Sequence, residues 1–147
     1  MSGSQPPPPG SVIRYAYLWA DEHSAGREDG RKDRRALVLA LAVRAESVAT
    51  QVLVLAITHE PPRDPADAVP FPAAEKQRLG LDDIPAWIVT TEGNAFLWPG
   101  PDIRPIPAQP PGTLTYGQVS HSVLQQVARS YLGNRQKQRS RLIARTA

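Results

Sequence analysis

The sequence predicts a mainly β domain in which about five short strands form a small barrel or curled sheet and one helix follows near the C-terminus. Two observations support this fold class. Apolar runs of strand length alternate with loops rich in proline, glycine and charge, and one late segment repeats apolar residues at every fourth position. The 147 residues suffice for a single domain with its own core.

The first strands are expected in the N-terminal half. Residues 11–20 (SVIRYAYLWA) are rich in β-branched and aromatic side chains, which favours a strand. A charged loop follows at 20–35. The runs at 36–43 (ALVLALAV) and 50–58 (TQVLVLAIT) are separated by RAESVA alone. Because a parallel crossover needs about a dozen residues or more, these two runs are predicted to pair as an antiparallel hairpin.

The middle of the chain alternates between breaks and short elements. Residues 59–72 contain five prolines and are expected to form a loop. Gly93 and Asn94 suit a tight turn. The elements predicted beyond the loop are a short helix at 73–79, a strand at 86–91, a hairpin turn at 92–94 and a short strand at 95–98.

The terminal helix has a start signal and an apolar stripe. TYGQ (115–118) has the form of a capping box, with Thr115 as the cap and Gln118 answering it. Gly133-Asn134 is a plausible stop. The stripe that would pack on the body consists of Val119, Val123, Val127 and Tyr131.

Composition divides the chain into a lead-in at 1–10, a domain at 11–132 and a tail at 133–147. The PPPP-containing lead-in offers little to bury and is expected to be disordered. Residues 1–115 carry 11 Lys and Arg against all 14 Asp and Glu, whereas residues 116–147 carry six basic side chains and no acid. The basic side chains of the tail could attract phosphate backbones. Its secondary structure is expected to be either a second helical stretch or a frayed segment.

Several function classes are excluded by what the sequence lacks. Without cysteine there are no disulfides or zinc-thiolate sites. The three histidines are far apart, and no nucleotide-binding or zinc-enzyme signature occurs, so no metal and no cofactor are predicted. No apolar run approaches the roughly 20 residues of a membrane span, and no signal peptide is visible, which predicts a soluble cytoplasmic protein without membrane contact.

Polar residues at the predicted strand ends are the candidates for chemistry. In the predicted hairpin, Arg34 at the start of one strand lies near Thr58 at the end of the other. A guanidinium beside a hydroxyl suits a phosphodiester. Each candidate also has a plain interpretation, as a solvated charge, a strand terminus or a turn residue. The candidates are Arg34 and Arg35 before the second strand, Thr58 and His59 after the third, and Glu92 and Asn94 at the predicted turn.

The order of four segments, GSVIRYAYLW, GRKDRRALVLAL, VLVLAITHEPP and WIVTTEGNAF, resembles the PemK/MazF family of toxins from bacterial toxin-antitoxin systems. That family begins with a glycine and an apolar strand, matched here by Gly10. An Arg-Pro-x-x-Val-Leu segment follows in the family, matched by Arg34 with ALVL, and a later strand ends in threonine, matched by Thr58. The resemblance covers about residues 10–132.

The resemblance implies an SH3-like β-barrel with a terminal helix, a homodimer, and a cognate antitoxin protein as partner. It also implies a metal-independent endoribonuclease (mRNA interferase) that cuts single-stranded RNA when a ribose 2′-hydroxyl attacks the adjacent phosphorus. Arg34 would then stabilise the charge on phosphate and act as the acid, and Thr58 would hold the phosphate. Glu92 is the first candidate for the base and His59 its competitor. Arg35, His59 and Asn94 are predicted to bind RNA.

Two other functions remain open at this stage. A divergent member could keep the fold and bind nucleic acid without cutting it, with the basic C-terminal segment on phosphates. It could also serve only as a module that binds another protein.

Overall fold

The computed structural model describes residues 5–19, 34–43, 49–98, 100, 103–137 and 141–144. Within these ranges the chain is mainly β, with one long helix near the C-terminus, as predicted. A short 3-10 turn (Pro65–Asp67) precedes the fourth strand. The strands are β1 (Ser11–Tyr15), β2 (Arg34–Val43), β3 (Thr50–Thr58), β4 (Ala68–Pro70), β5 (Trp87–Val89), β6 (Glu92–Trp98), β7 (Ile103–Arg104), β8 (Thr115–Gln118) and β9 (Arg141–Ala144), and the helices are α1 (Ala73–Arg78) and α2 (His121–Gln136).

The first three strands form an antiparallel meander. The predicted β2-β3 hairpin is confirmed, with Ala36 opposite Ala56 and Val43 opposite Thr50, and its register shifts between Val38 and Ala40. β1 pairs with the other edge of β2. The strand predicted at 11–20 is shorter in the structure. β1 ends at Tyr15, and residues 16–19 are not part of a strand.

β5 and β6 lie one after the other along the edge of β3 that faces away from β2. β5 pairs with Ile57 and Thr58, and β6 pairs with residues 50–54. The predicted hairpin turn at 92–94 is therefore wrong, since these residues belong to β6. A Cβ on Gly93 would lie 3.0 Å from Leu53 Cδ1, so this glycine serves a close approach of β6 to β3 rather than a turn.

The strand pairings run in the order β4-β5-β3-β2-β1-β7. β6 also pairs with β3, β8 pairs with β1, and β9 lies parallel to β6. Within the described ranges no pairing joins the two ends of this order, so the sheet is not a closed ring. The prediction of about five strands missed β4, β7, β8 and β9, whose two to four residues are too short for a periodic pattern.

Both faces of the central strands are buried. One face packs with α2 and the segment around α1 in a core cluster that includes Val12, Leu37 and Leu55. The other face carries a second cluster in which Tyr15 stacks on Phe96, with ring centres 5.1 Å apart. Burial on both sides explains why the β2 and β3 sequences are nearly continuous apolar runs without polar alternation.

The start of the terminal helix differs from the prediction. Residues 115–118 form β8 rather than a capping box, and Gly117, opposite Val12 in β1, has a φ of +128°, which a helix does not allow. Ser120 is the N-cap, and its side chain accepts from the Val123 N–H at 3.4 Å. Glu75 Oε1 accepts from the Ser120 N–H at 2.8 Å. Burial alone would raise the pKa of Glu75, but this bond and the bond from Arg78 lower it.

The predicted apolar stripe is buried, at Val119 just before α2 and at Val123, Val127 and Tyr131 within α2. The predicted stop at Gly133-Asn134 is wrong, because α2 continues to Gln136. Asn134 is buried, and its Nδ2 donates to the carbonyls of Ala66 at 3.0 Å and Thr90 at 3.1 Å. Asn134 therefore anchors α2 to the body and does not end it.

Replacing Asn134 with alanine is expected to lower the free energy of unfolding by about 2 kcal/mol, because the buried Thr90 carbonyl and the partly buried Ala66 carbonyl lose their donor. Urea unfolding measures the change. Gln136→Ala, at an exposed position on the last turn of α2, is the matched control and is expected to change stability by less than about 0.5 kcal/mol. Equal losses in the two variants would contradict the anchoring role of Asn134.

Described residues near both ends of the chain contribute to the fold. Of the lead-in predicted to be disordered, residues 5–10 are described: Pro7 is buried and the Gly10 N–H donates to the Val38 carbonyl at 2.7 Å. In the predicted tail, β9 pairs with β6 where a helix or a frayed end was expected. Residues 1–4, 138–140 and 145–147 lie outside the described residues. No helix in the described ranges is long and apolar enough to cross a membrane.

Candidate active site

A cleft of about 330 Å³ lies where β2 begins and β3 ends. In the hairpin register Ala36 is opposite Ala56, so Arg34 and Thr58, each two residues further out, reach the same end of the two strands. Both residues line the cleft, and the structure thus brings these two predicted site residues together. The lining consists of Trp19, Arg34, Thr58, Glu60, Pro61 and Val89.

Contacts within the cleft hold its polar groups in place. The Arg34 guanidinium carbon lies 5.4 Å from the centre of the Trp19 ring, a cation-π geometry that limits the arginine's freedom. Thr58 Oγ1 accepts from the Glu60 N–H at 3.1 Å, which closes a tight turn directly after β3. This turn brings Glu60 to the wall of the same cleft.

The cleft therefore combines three functional groups and an aromatic surface. Arg34 offers a planar set of donors that matches phosphate oxygens. Thr58 offers a hydroxyl, and Glu60 offers a carboxylate that can accept a proton. Trp19 is half-buried and adds a ring next to the cation. A cation for phosphate and a carboxylate for a hydroxyl proton are the groups that phosphodiester cleavage without a metal requires.

Glu92, the predicted base, does not line this cleft. It lies at the start of β6, where its Oε2 accepts from the Tyr17 hydroxyl at 3.5 Å. Burial, with the neighbouring Glu92 carboxylate, raises the pKa of Tyr17 well above its ordinary value. The structure thus places Glu92 beside a buried tyrosine rather than beside Arg34 and Thr58.

Asn94 is fully buried in β6. Its Oδ1 accepts from the Leu18 N–H at 2.9 Å, and its Nδ2 donates to the Leu18 carbonyl at 2.8 Å. Residues 16–19, after β1, are not in a strand, and these two bonds satisfy the backbone N–H and carbonyl of Leu18 in place of a strand partner. Asn94 therefore holds the segment that carries Trp19 to the cleft, and its buried side chain has no access to a bound RNA.

Arg35 and His59 meet on the opposite side of β2 from Arg34. Asp82 Oδ2 accepts from Arg35 Nη1 at 2.9 Å and lies 3.1 Å from His59 Nε2. Asp82 Oδ1 accepts from Lys76 Nζ at 2.7 Å and from the Ile84 N–H at 3.0 Å. Burial alone would raise the pKa of Asp82, but the bonds from Lys76, from the Ile84 N–H and from Arg35 hold it well below its usual range.

A second cavity of about 430 Å³ adjoins this ion-pair cluster. Its wall is mainly apolar, with Phe71, Leu81 and Trp87 among the lining residues, and its lysine, Lys76, is already bonded to Asp82 and to the Ile84 carbonyl. The smaller cleft at Arg34 is the better candidate for chemistry, since it alone of these two cavities combines a hydroxyl, a guanidinium and a carboxylate.

Sequence reasoning missed Trp19 and Glu60 as site residues. A signal for Glu60 was present, because it follows Thr58 by two residues and a threonine hydroxyl commonly accepts from the N–H two positions later. No such signal marks Trp19, because its position depends on the two hydrogen bonds between the Asn94 side chain and the backbone of Leu18. In the part of the chain that the structure describes, no three His, Cys, Asp or Glu side chains are grouped as a metal site.

A scan against protein-family models, a search of curated proteins and a search of solved structures found no match to this chain.

Proposed function

We propose that this chain is a metal-independent endoribonuclease of the PemK/MazF kind that cleaves single-stranded RNA. One observation carries the proposal: Arg34 and Thr58, from two different strands, line one cleft together with Glu60 and Trp19. The same arginine and threonine are the positions that match the family's motifs in the sequence.

Binding would begin with the phosphate. Arg34 donates to two of its oxygens and Thr58 donates its hydroxyl to a third, so the phosphorus is held at the mouth of the cleft. The Trp19 ring keeps the guanidinium in place, which lowers the entropy lost on binding. A single strand fits this arrangement better than a duplex, because its sugar and base can turn toward the wall of the cleft.

Glu60 is the base in this proposal, in place of Glu92. Its carboxylate accepts the proton of the ribose 2′-hydroxyl while the 2′-oxygen forms a bond to phosphorus and the bond from phosphorus to the 5′-oxygen breaks. Arg34 stabilises the charge that develops on the phosphate and supplies the proton that the leaving 5′-oxygen takes. The proton held by Glu60 returns through solvent to the guanidinium, so atoms and charge balance. The products are a 2′,3′-cyclic phosphate and a free 5′-hydroxyl.

An SH3-like fold, a homodimer and an antitoxin partner are part of the same proposal. An SH3-like arrangement is supported by the consecutive antiparallel strands β1, β2 and β3 and by the helix near the C-terminus. A homodimer and a cognate antitoxin follow from the family resemblance, as does a cytoplasmic site of action. An antitoxin segment with acidic side chains would compete with RNA for Arg34.

A second candidate is a binding module without catalysis. It is favoured by the charge of residues 1–115, which is net −3 and so gives this part of the chain, taken as a whole, no attraction for RNA. Such a module would bind a partner at the same cleft and leave RNA intact.

Matched glutamine variants of two carboxylates test the proposal. Glu60→Gln is expected to lower the cleavage rate of a mixed-sequence single-stranded RNA by about 100-fold or more, because the base is removed and the shape is kept. Glu92→Gln, outside the cleft, is expected to retain the rate within about threefold. Loss of rate in Glu92→Gln with the rate kept in Glu60→Gln would move the base back to Glu92, and an equal loss in both would contradict the role given to Glu60. Intact RNA with the unaltered protein would favour the binding module.

A further inference from the structure

The second cavity, of about 430 Å³, is lined by residues of β4, α1, β5 and the connection from α1 to β5. Backbone hydrogen bonds hold these segments together. The Phe71 N–H donates to the Ala86 carbonyl at 2.8 Å, and the Leu81 N–H donates to the Lys76 carbonyl at 2.9 Å. The walls are therefore fixed by the fold itself, and the volume is within the range of sites that bind small molecules. We call this space the Lys76 cavity.

The wall of the Lys76 cavity is mainly apolar and partly aromatic. Phe71 and Ala86 are buried, Trp87 is half-buried, and Ile84 is 50% exposed. A ligand that covers the exposed part of Ile84 removes apolar surface from water, and each CH₂ group buried in this way is worth about fourfold in affinity. The two rings favour an aromatic body for the ligand.

Asp82, in the wall of the cavity, has little capacity left to accept a bond from a ligand. Its Oδ1 accepts from Lys76 Nζ at 2.7 Å and from the Ile84 N–H at 3.0 Å. Its Oδ2 accepts from Arg35 Nη1 at 2.9 Å and lies 3.1 Å from His59 Nε2. An ionised carboxylate has about four lone-pair sites, so these neighbours use its accepting capacity.

Lys76, by contrast, has a donor to offer. Its ammonium carries three N–H groups. In the part of the chain that the structure describes, two acceptors bond to it, Asp82 Oδ1 and the Ile84 carbonyl. Lys76 is only 5% exposed, so bulk water contributes little to the third N–H. Because Lys76 lines the cavity, an acceptor on a ligand can bond to this N–H while both existing partners stay in place.

The charges around the cavity favour an anion as that acceptor. Lys76 and Arg35 share the single carboxylate of Asp82, which leaves one positive charge in excess. His59 adds a second when it is protonated. Asp83 also lines the cavity, but it is exposed, and solvent and salt screen its charge. The buried ammonium is screened less, so a carboxylate is preferred over an ammonium as the head group of a ligand.

We propose that the Lys76 cavity binds a small aromatic carboxylate, whose head group accepts from Lys76 Nζ and whose rings pack on Phe71 and Trp87. The volume is near the lower end of the range for ligand sites and suits a body of about one or two rings. The inference goes beyond the proposed function, because none of Arg34, Thr58 and Glu60 lines this cavity and its ligand is not RNA.

Three molecules with the same rings and different head groups test the proposal. Naphthalene-2-carboxylate is the probe, 2-naphthamide is its neutral counterpart and 2-naphthylmethylammonium is its cationic counterpart. NMR titration of the unaltered protein at pH 7 measures the affinities, and the Trp87 indole N–H reports binding at the cavity. The carboxylate is expected to bind about tenfold more tightly than the amide, and the ammonium more weakly than either, since a charged acceptor makes the stronger bond to Lys76.

Two variants separate the head group from the rings. Lys76→Met keeps an unbranched side chain and removes the donor, so the carboxylate and the amide should bind within about threefold of each other. Ile84→Ser removes apolar wall and should weaken both by about fivefold, with the preference for the carboxylate kept. The matched controls are exposed residues outside the cavity lining, Lys137→Met and Leu132→Ser, and should leave all affinities nearly unchanged.

Several results would overturn the proposal. These are no binding of the carboxylate at millimolar concentration, equal affinities for the carboxylate and the amide, an ammonium that binds as tightly as the carboxylate, or a preference that persists in folded Lys76→Met. An equal loss in Ile84→Ser and Leu132→Ser would also contradict it. If Lys76→Met fails to fold, nuclear Overhauser effects in the unaltered protein decide. They are expected between the naphthyl protons and both Trp87 and Ile84, and their absence with the carboxylate bound would contradict the site.

Discussion

Replacing Arg34 with glutamine is expected to lower the rate of RNA cleavage by about 100- to 1000-fold, because the variant loses the positive charge that stabilises the phosphate as its negative charge builds. Arg34→Lys should recover only part of the rate, since a lysine keeps the charge but not the paired donors of the guanidinium. Thr58→Val, which removes the hydroxyl and keeps the shape, is expected to cost about tenfold. Single-turnover cleavage of a labelled single-stranded RNA measures all three rates.

Arg129→Gln is the control for the loss of one positive charge, because Arg129 is exposed on α2 away from the cleft. It should retain the full rate. If Arg34→Gln cleaved RNA as fast as this control, the cleft at Arg34 and Thr58 would not be the active site. A Tm within a few degrees of the unaltered protein shows that any loss of rate is not a loss of folded protein.

Replacing Asp82 with asparagine is expected to lower the free energy of unfolding by about 3 kcal/mol, because Lys76 is left buried without its carboxylate. Lys76 is only 5% exposed, so water cannot replace the lost partner. The loss extends to the bonds that Asp82 makes with Arg35 and with the Ile84 N–H. Guanidinium chloride unfolding at pH 7 measures the change.

The same carboxylate predicts how stability depends on pH. Because the pKa of Asp82 in the folded protein is held below its unfolded value of about 3.9, its contribution is present above that value. This contribution is lost as the pH falls through the lower folded pKa. The unaltered protein should therefore lose stability progressively below about pH 4, and Asp82→Asn should lose less over the same range.

Asp83→Asn is the matched control, since Asp83 is the exposed neighbour of Asp82. It should unfold within about 0.5 kcal/mol of the unaltered protein at pH 7 and show the same decline in acid. A similar loss of stability in Asp82→Asn and Asp83→Asn would contradict the role given to the ion pair with Lys76.

The parts of the fold that the sequence predicts correctly are those with long, strong patterns. The β2-β3 hairpin follows from two apolar runs and a connection too short for a crossover. The buried stripe of α2 follows from apolar residues at every fourth position. In both cases local pattern and tertiary burial favour the same structure, so neighbouring sequence is sufficient.

The errors occur where tertiary contacts outweigh a local signal. Gly93-Asn94 has the composition of a turn, but Asn94 bonds to the backbone of Leu18, distant in sequence, and stays in β6. TYGQ has the form of a capping box, but pairing with β1 keeps these residues extended, and Ser120 caps the helix instead. Neither partner segment can be identified from the residues next to the motif.

The candidate site divides in the same way. The meeting of Arg34 and Thr58 could be predicted, because it depends only on the hairpin register. The roles given to Glu92 and Asn94 depended on a turn that does not form. The placement of Arg14 between Arg35 and Arg104 could not be seen in the sequence, because these residues become neighbours only through the order of β7, β1 and β2.

The chemistry at the ends of cleaved RNA tests the proposed function most directly. Purified protein is incubated with a mixed-sequence single-stranded RNA in the presence of a metal chelator, and the new ends are identified by mass spectrometry. Attack by the 2′-hydroxyl predicts discrete products with a 2′,3′-cyclic phosphate on one side and a free 5′-hydroxyl on the other. Intact RNA, or products that carry a 5′-phosphate, would contradict it.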